Sequence, residues 1–244
     1  MKKYLFLLFV LALAFSYSAH SKELEIVTEH SRIAFDVDYM LMTKVEGQFK
    51  KYTGFFEMNT PEDILLNVRV GITGNSVDTN DGKRDFHLRG QEFFFVASYP
   101  EITFRAKGPV KIAANEKFKL PGEITLRGIS KPLVLDGFYK GKIKDPWGKE
   151  NYFFTLTGEI NRKDFEMIWN KKMDNGGFLV GDVVRLNMTI QSQVIGDKTP
   201  FSTHMVPSTK GIVERKDLKE GKIKKLSTST DPNDYPQTKD QPGK

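Results

Sequence analysis

"RIAFDVDY", residues 32–39, puts Ile33, Phe35, Val37 and Tyr39 on one side of an extended chain and Ala34, Asp36 and Asp38 on the other. Side chains of a strand alternate between faces, so this pattern describes a strand with one face against a core and one in water. The same signature recurs. "LNVRVGIT" sets Leu66, Val68, Val70 and Ile72 against Asn67, Arg69 and Gly71, and "EITFRAK" sets Ile102, Phe104 and Ala106 against Thr103, Arg105 and Lys107. "KFKLPGEITLR" alternates Phe118, Leu120, Ile124 and Leu126 with Lys117, Lys119, Glu123 and Arg127. Phe154, Leu156 and Ile160, then Val184, Leu186, Met188 and Ile190, complete six two-faced segments. Strands of this kind belong to an antiparallel sheet that is wet on one side.

With "KPLVLDGFYKGKI" and a short stretch at residues 110–112, about eight or nine strands are expected. Such a sheet must hide its apolar face in a sandwich or a closed barrel. In "VEGQFKKYTGFFEM" the apolar positions change from odd (Val45, Phe49) to even (Tyr52, Phe56, Met58) at Lys50 and Lys51, as a β-bulge would make them do. Bulges bend strands, and Gly54, Gly122, Gly137 and Gly158 would ease the bending at barrel corners. The expectation is an all-β fold: a single antiparallel barrel of about eight strands, with a short helix within residues 80–94 near one end.

The barrel should occupy residues 22–196. Before it, a basic start (Lys2, Lys3), an apolar run over residues 4–15 and small residues at Ala19 and Ser21 read as a secretory signal peptide, residues 1–21. Cleavage after Ser21 fits the small-x-small pattern, and cleavage after Ser18 is the alternative. After the barrel, residues 197–244 are rich in Lys, Ser, Thr, Pro and Asp without a period. They read as a flexible tail, or as one with a short helix over residues 212–226 that folds on a partner or membrane surface.

The formal charge of +6 divides unevenly. Lys2 and Lys3 carry +2, residues 197–244 carry ten basic and seven acidic groups, and residues 22–196 carry 25 basic and 24 acidic groups. The barrel is thus near neutral, which argues against a nucleic-acid partner. Cysteine is absent, so neither a disulfide nor a thiolate metal site exists. G-x-S-x-G, H-E-x-x-H and Walker motifs are missing, and "DTNDG" fails the calcium-loop spacing. His30 and His87 are too far apart to form a local metal motif. The chain is therefore read as no enzyme, with no cofactor and no metal. Trp147, in the turn "DPWG", is either a lipid-facing anchor or a residue packed over a loop, and Trp169 is assigned to the core.

Five blocks in order carry a further signal: "NDGKRDFHLRGQEFFFVASYPEITF", "GEITLRGISKPLVL", "DPWG", "INRKDFEMIWN" and "LVGDVVRLNMTI". Together with the opening "HSRIAFDVDYMLMTKVEGQFKKYTG" they resemble the YceI-like family of bacterial lipid-binding proteins over about residues 24–195. This resemblance implies a lipocalin-like barrel in the periplasm of a Gram-negative bacterium, or secreted. It implies a bound polyisoprenoid-type amphiphile, such as a prenyl phosphate or a quinone, and it is in keeping with a homodimer. Phe95 departs from the family pattern, which commonly has an acidic residue after the paired phenylalanines.

On this reading the pore is lined by Phe35, Val37, Phe49, Phe56, Val68, Val70, Phe104, Ile124, Leu126, Phe154, Leu156, Trp169, Leu186 and Met188. Phe93, Phe94 and Phe95 would close one end, with Phe93 and Phe94 touching the cargo. Lys83, Arg84 and Arg89 are the candidates for a polar head group, and surface pairing with Asp81, Asp85 and Glu92 is the alternative. The competing function is a non-enzymatic envelope interaction or stress protein, with a self-filled barrel and a basic tail that binds a partner. Contact with a membrane surface is compatible with either.

Overall fold

The computed structural model describes residues 21–59, 62–174 and 176–196. The predicted signal peptide, apart from Ser21, and the predicted tail lie outside them. Twelve strands and one α-helix follow in order: β1 (Ser21–Ile26), β2 (Arg32–Tyr39), β3 (Thr43–Phe49), β4 (Tyr52–Asn59), β5 (Ile64–Thr73), β6 (Val77–Asp78), α1 (Gly82–Arg89), β7 (Glu101–Ala106), β8 (Val110–Lys111), β9 (Glu116–Leu126), β10 (Ile129–Lys144), β11 (Glu150–Asn161) and β12 (Val180–Val194).

Pairing reduces them to eight long strands. β1 and β2 are two halves of one kinked strand, as are β3 with β4 and β5 with β6. β1 pairs with β4 and β2 with β3, while β4 pairs with β5 and β3 with β6. The ring continues through β7, β9, β10 and β11 to β12, and β12 closes it against both β1 and β2. A closed antiparallel barrel leaves no long edge to be protected.

The kinks occur at one level. β1 gives way to β2 through a 3-10 turn at Thr28–His30. Opposite it, Lys50 and Lys51 interrupt the β3–β4 strand, where the sequence changes phase. The Tyr52 hydroxyl joins the two breaks, donating to the Ser31 carbonyl at 2.7 Å.

One end of the barrel carries the β2–β3 and β9–β10 turns, the α1 segment and the connection from β11 to β12. The other carries the β4–β5 and β10–β11 turns, β8 and the ends of β1 and β12. The second end is filled: Leu24, Met58, Tyr139 and Tyr152 are at most 3% exposed. Tyr139 stacks on Phe154 at 4.9 Å, and burial pushes its phenol up to about 12.

The helix is shorter than the segment expected for it. Asp81 caps it by accepting from the Lys83 and Arg84 amides at 3.0 and 3.1 Å, and it stops at Gly90. Residues 91–99 form turns instead. Trp147 is 65% exposed at the β10–β11 turn, at the end of the barrel away from the cavity mouth.

Candidate functional site: an apolar cavity opening at one end

Inward-facing side chains of the strands surround a cavity of about 520 Å³. That is within the range of roughly 300–1,000 Å³ usual for small-molecule sites. β2 contributes Phe35 and Val37, β3 Phe49, β4 Phe56, β5 Val68 and Val70, β7 Phe104 and β9 Ile124 and Leu126. β11 adds Phe154 and Leu156, and β12 adds Leu186 and Met188. Phe93, Phe94 and Trp169 reach the same space from the connecting segments. All sixteen side chains assigned to the pore from sequence face this cavity. The alternation that made each strand two-faced also determined which face looks inward, except at the start of β5, where the left-handed Asn67 (φ 52°) shifts the phase and Leu65, not the expected Leu66, is buried in the wall.

Aromatic rings define its depth. His87, Phe93 and Trp169 cluster at the top, with centroids 4.9–5.5 Å apart. Phe49 is central in the next layer, 5.7 Å from Phe35 and 5.5 Å from Phe94. Phe154 forms the floor, 5.7 Å from Phe56 and 6.4 Å from Phe118. Trp169 is therefore half-buried at the mouth rather than in the core.

Glycines keep the space open. An added Cβ at Gly47 would come within 2.4 Å of the Phe35 ring, at Gly122 within 2.3 Å of Phe104, and at Gly137 within 2.3 Å of Phe118. At Gly54 it would meet Ile26 at 2.3 Å, and at Gly158 it would meet Leu135 at 2.7 Å. Each of these five covering side chains is part of the cavity wall. Lying flat over a neighbouring glycine, they stay off the barrel axis. Gly54, Gly122, Gly137 and Gly158, expected from sequence only to help the sheet bend, therefore also set the width of the lumen.

Charge is confined to the upper end. The charged groups on the wall are Asp81, Lys83, Arg84 and Arg162, with His87 beside them. Arg84 is already engaged, donating from Nε to Thr79 Oγ1 at 2.8 Å and from Nη2 to the Thr79 carbonyl at 2.7 Å. Arg89 points elsewhere, donating to the Asn75 and Val77 carbonyls at 3.1 and 3.2 Å, and lies outside the cavity wall. On a helix, positions 83, 84, 87 and 88 share a face and position 89 begins another, which separates Arg89 from its neighbours. Lys83 makes no ion pair or side-chain hydrogen bond among the described residues. Phe95 also turns away; its backbone is left-handed, with φ 49°, and its ring packs on Tyr99 at 5.8 Å. Arg127 holds this segment by donating to the Gln91 and Phe93 carbonyls.

Arg162 was missed by the sequence reading. It is 3% exposed and donates to the carbonyls of Gly181, Met167 and Trp169 and to Asp182. Burial lowers its pKa and Asp182 opposes that effect. Its role is to tie the β11–β12 connection into the mouth. His87 was also not assigned to the pore from sequence, although its spacing from Lys83, Arg84 and Leu88 places all four on one helical face. Its Nε2 lies 2.6 Å from Glu92. Among the described residues, no group of three or more His, Asp or Glu is placed to hold a metal ion. The site can thus surround an apolar chain and offer one cation at its entrance.

Comparisons with known proteins agree with this architecture. Protein YceI of Salmonella newport is 34% identical over 139 residues, covering 57% of this chain and 72% of the relative. A UPF0312 protein of Photorhabdus laumondii is 34% identical over 158 residues, covering 65% and 79%. The crystal structure of a Campylobacter jejuni YceI protein matches with a TM-score of 0.55 at 30% identity, covering 64% of this chain and 88% of that one. Burkholderia cenocepacia BcnA shares the fold, with a TM-score of 0.58 at 18% identity, covering 68% of this chain and 98% of that one. The YceI-like domain profile matches residues 24–192, and the chain belongs to the YceI-like family.

Proposed function

We propose that the chain is a non-catalytic carrier that holds the apolar part of a polyisoprenoid-type lipid, such as a prenyl phosphate or a quinone, in the barrel after export to the periplasm. The observation that carries this reading is the continuous apolar cavity of about 520 Å³, closed below by Phe154 and open above. A barrel filled by its own side chains would leave no such space; here only the lower end is filled.

The energetics suit a carrier. Taking one five-carbon isoprene unit out of water is worth roughly 3–4 kcal/mol before other costs. A membrane solvates that unit equally well, so the net preference for the protein over a membrane is small and the cargo can be released. Polar contacts with the head group then tune the balance, and Lys83 is the cation available for them.

The test is titration with a fluorescent prenyl probe. Leu156, opposite Gly137 and Met188 in the wall, is the residue to enlarge. Leu156→Trp should reduce probe affinity at least about tenfold while the far-UV circular dichroism stays that of the parent. Unchanged affinity in a folded Leu156→Trp variant would contradict the assignment of the cavity as the binding site.

A further inference from the structure

Large apolar side chains are exposed around the cavity entrance. Met40, Leu41 and Met42 are 48, 69 and 93% exposed, and Phe86, Ile168 and Phe178 are 78, 72 and 57% exposed. Every one of these segments adjoins the cavity wall. Met40 follows Tyr39, Phe86 precedes His87, Ile168 lies between Met167 and Trp169, and Phe178 precedes Leu179, and these five neighbours are all wall positions. The β2–β3 tip is also joined to the β11–β12 connection, since the Met40 amide donates to the Leu179 carbonyl at 2.8 Å. Met40 and Leu41 are held at φ 53° and 62°, a backbone that large side chains seldom adopt, and it presents three apolar residues in succession to solvent.

The geometry points to a bilayer surface as the partner of this rim: the tips enter the lipid interface and set the cavity mouth against the membrane. The inference rests on the carrier reading above and adds where cargo is exchanged. Two observations favour a bilayer over a second copy of the chain. The exposed side chains number six and are divided among the β2–β3 turn, helix α1 and the β11–β12 connection, whereas a stable protein interface takes about 20–30 residues a side. The other end of the barrel is filled, so a second copy seated on the rim would seal the exit. Charge balances near the rim, with Arg162, Lys163, Lys171 and Lys172 against Asp164, Glu166, Asp174 and Asp182 on the β11–β12 connection and the start of β12. Apolar insertion, rather than attraction to anionic lipid, is therefore the driving force, and moderate salt should not release the protein.

The experiment is flotation of exported, purified protein with phosphatidylcholine vesicles, with and without phosphatidylglycerol, alongside light scattering and mass analysis of bound lipid. The double variant Leu41→Asp, Met42→Asp should lose at least about tenfold in vesicle binding, since each side chain of this size gains more than a factor of ten on leaving water. It should keep its preloaded cargo. Trp147→Asp, at the opposite end, should bind vesicles as the parent does. A cargo-bearing parent that fails to float would overturn the proposal, as would an equal loss in Trp147→Asp. So would a parent dimer that the rim variant splits into monomers without any change in vesicle binding. Rim-dependent flotation of a protein that never holds lipid would support the rim and sink the carrier reading.

Discussion

The two ends of the barrel are built on opposite principles. At the filled end, Glu150 accepts from Lys22 at 2.5 Å and from the Tyr152 hydroxyl at 2.9 Å, with Lys142 at 3.7 Å. Beside it, Asn151 Oδ1 accepts from Gln191 and Gln193 at 2.7 and 2.8 Å. These bonds cross-link β1, β11 and β12 over a plug of Leu24, Met58, Tyr139 and Tyr152. At the open end Arg162, the only buried cation among the described residues, is consumed in holding loop carbonyls, and apolar side chains project into solvent. One end secures closure of the barrel, and the other keeps space and access. Stability and binding should therefore respond to different residues.

The largest contrast expected is between two leucine truncations. Leu24→Ala, in the plug, should cost about 3 kcal/mol, because deleting a fully packed leucine loses transfer energy and leaves a void. Leu156 already faces a cavity, and Leu156→Ala should cost less, at or below about 2 kcal/mol. Urea denaturation of both variants measures the difference. Equal losses would mean that the plug and the cavity wall contribute alike to stability.

Adding one methyl tests how the lumen is kept open. Gly137→Ala should push the Phe118 ring towards the axis, at a stability cost of about 1–3 kcal/mol. Prenyl-probe affinity should fall by about tenfold in the folded fraction, read by titration well below the melting temperature. Unchanged affinity would mean that the ring relocates without narrowing the lumen.

The smallest effect belongs to the ion pair at the filled end. The hydrogen bond from Lys22 is the main cause that holds the Glu150 carboxyl down to about 2, helped by the one from Tyr152 and opposed by burial. A depressed folded-state value means stability that is present above the ordinary carboxylate value of 4.5 and lost as pH falls through about 2. Glu150→Gln should cost about 0.5–1 kcal/mol at pH 7 and nothing near pH 2, by urea denaturation at both pH values.

Much of this was legible in the sequence, because inward and outward positions of a strand differ by one residue and the apolar pattern reports them directly. The phase change at Lys50 and Lys51 likewise announced a kink. What sequence did not disclose were properties of loops and of partners distant in the chain. Arg89 reads like Lys83 and Arg84 until the helix face is drawn, and Phe95 reads like Phe93 until its left-handed backbone is known. Arg162 looks like a surface cation because its acceptors are backbone carbonyls, which have no sequence signature. The tyrosine plug at one end and the exposed apolar tips at the other both have ordinary strand and turn compositions.

A lipid held in the upper barrel would add its mass to the protein and leave with organic solvent. Native mass measurement of the exported protein, with mass spectrometry of its organic extract, tests for it. The expected result is a native mass above that of the bare chain and a prenyl lipid or quinone in equimolar amount. A native mass equal to the bare chain, unchanged after incubation with prenyl lipids, would contradict it.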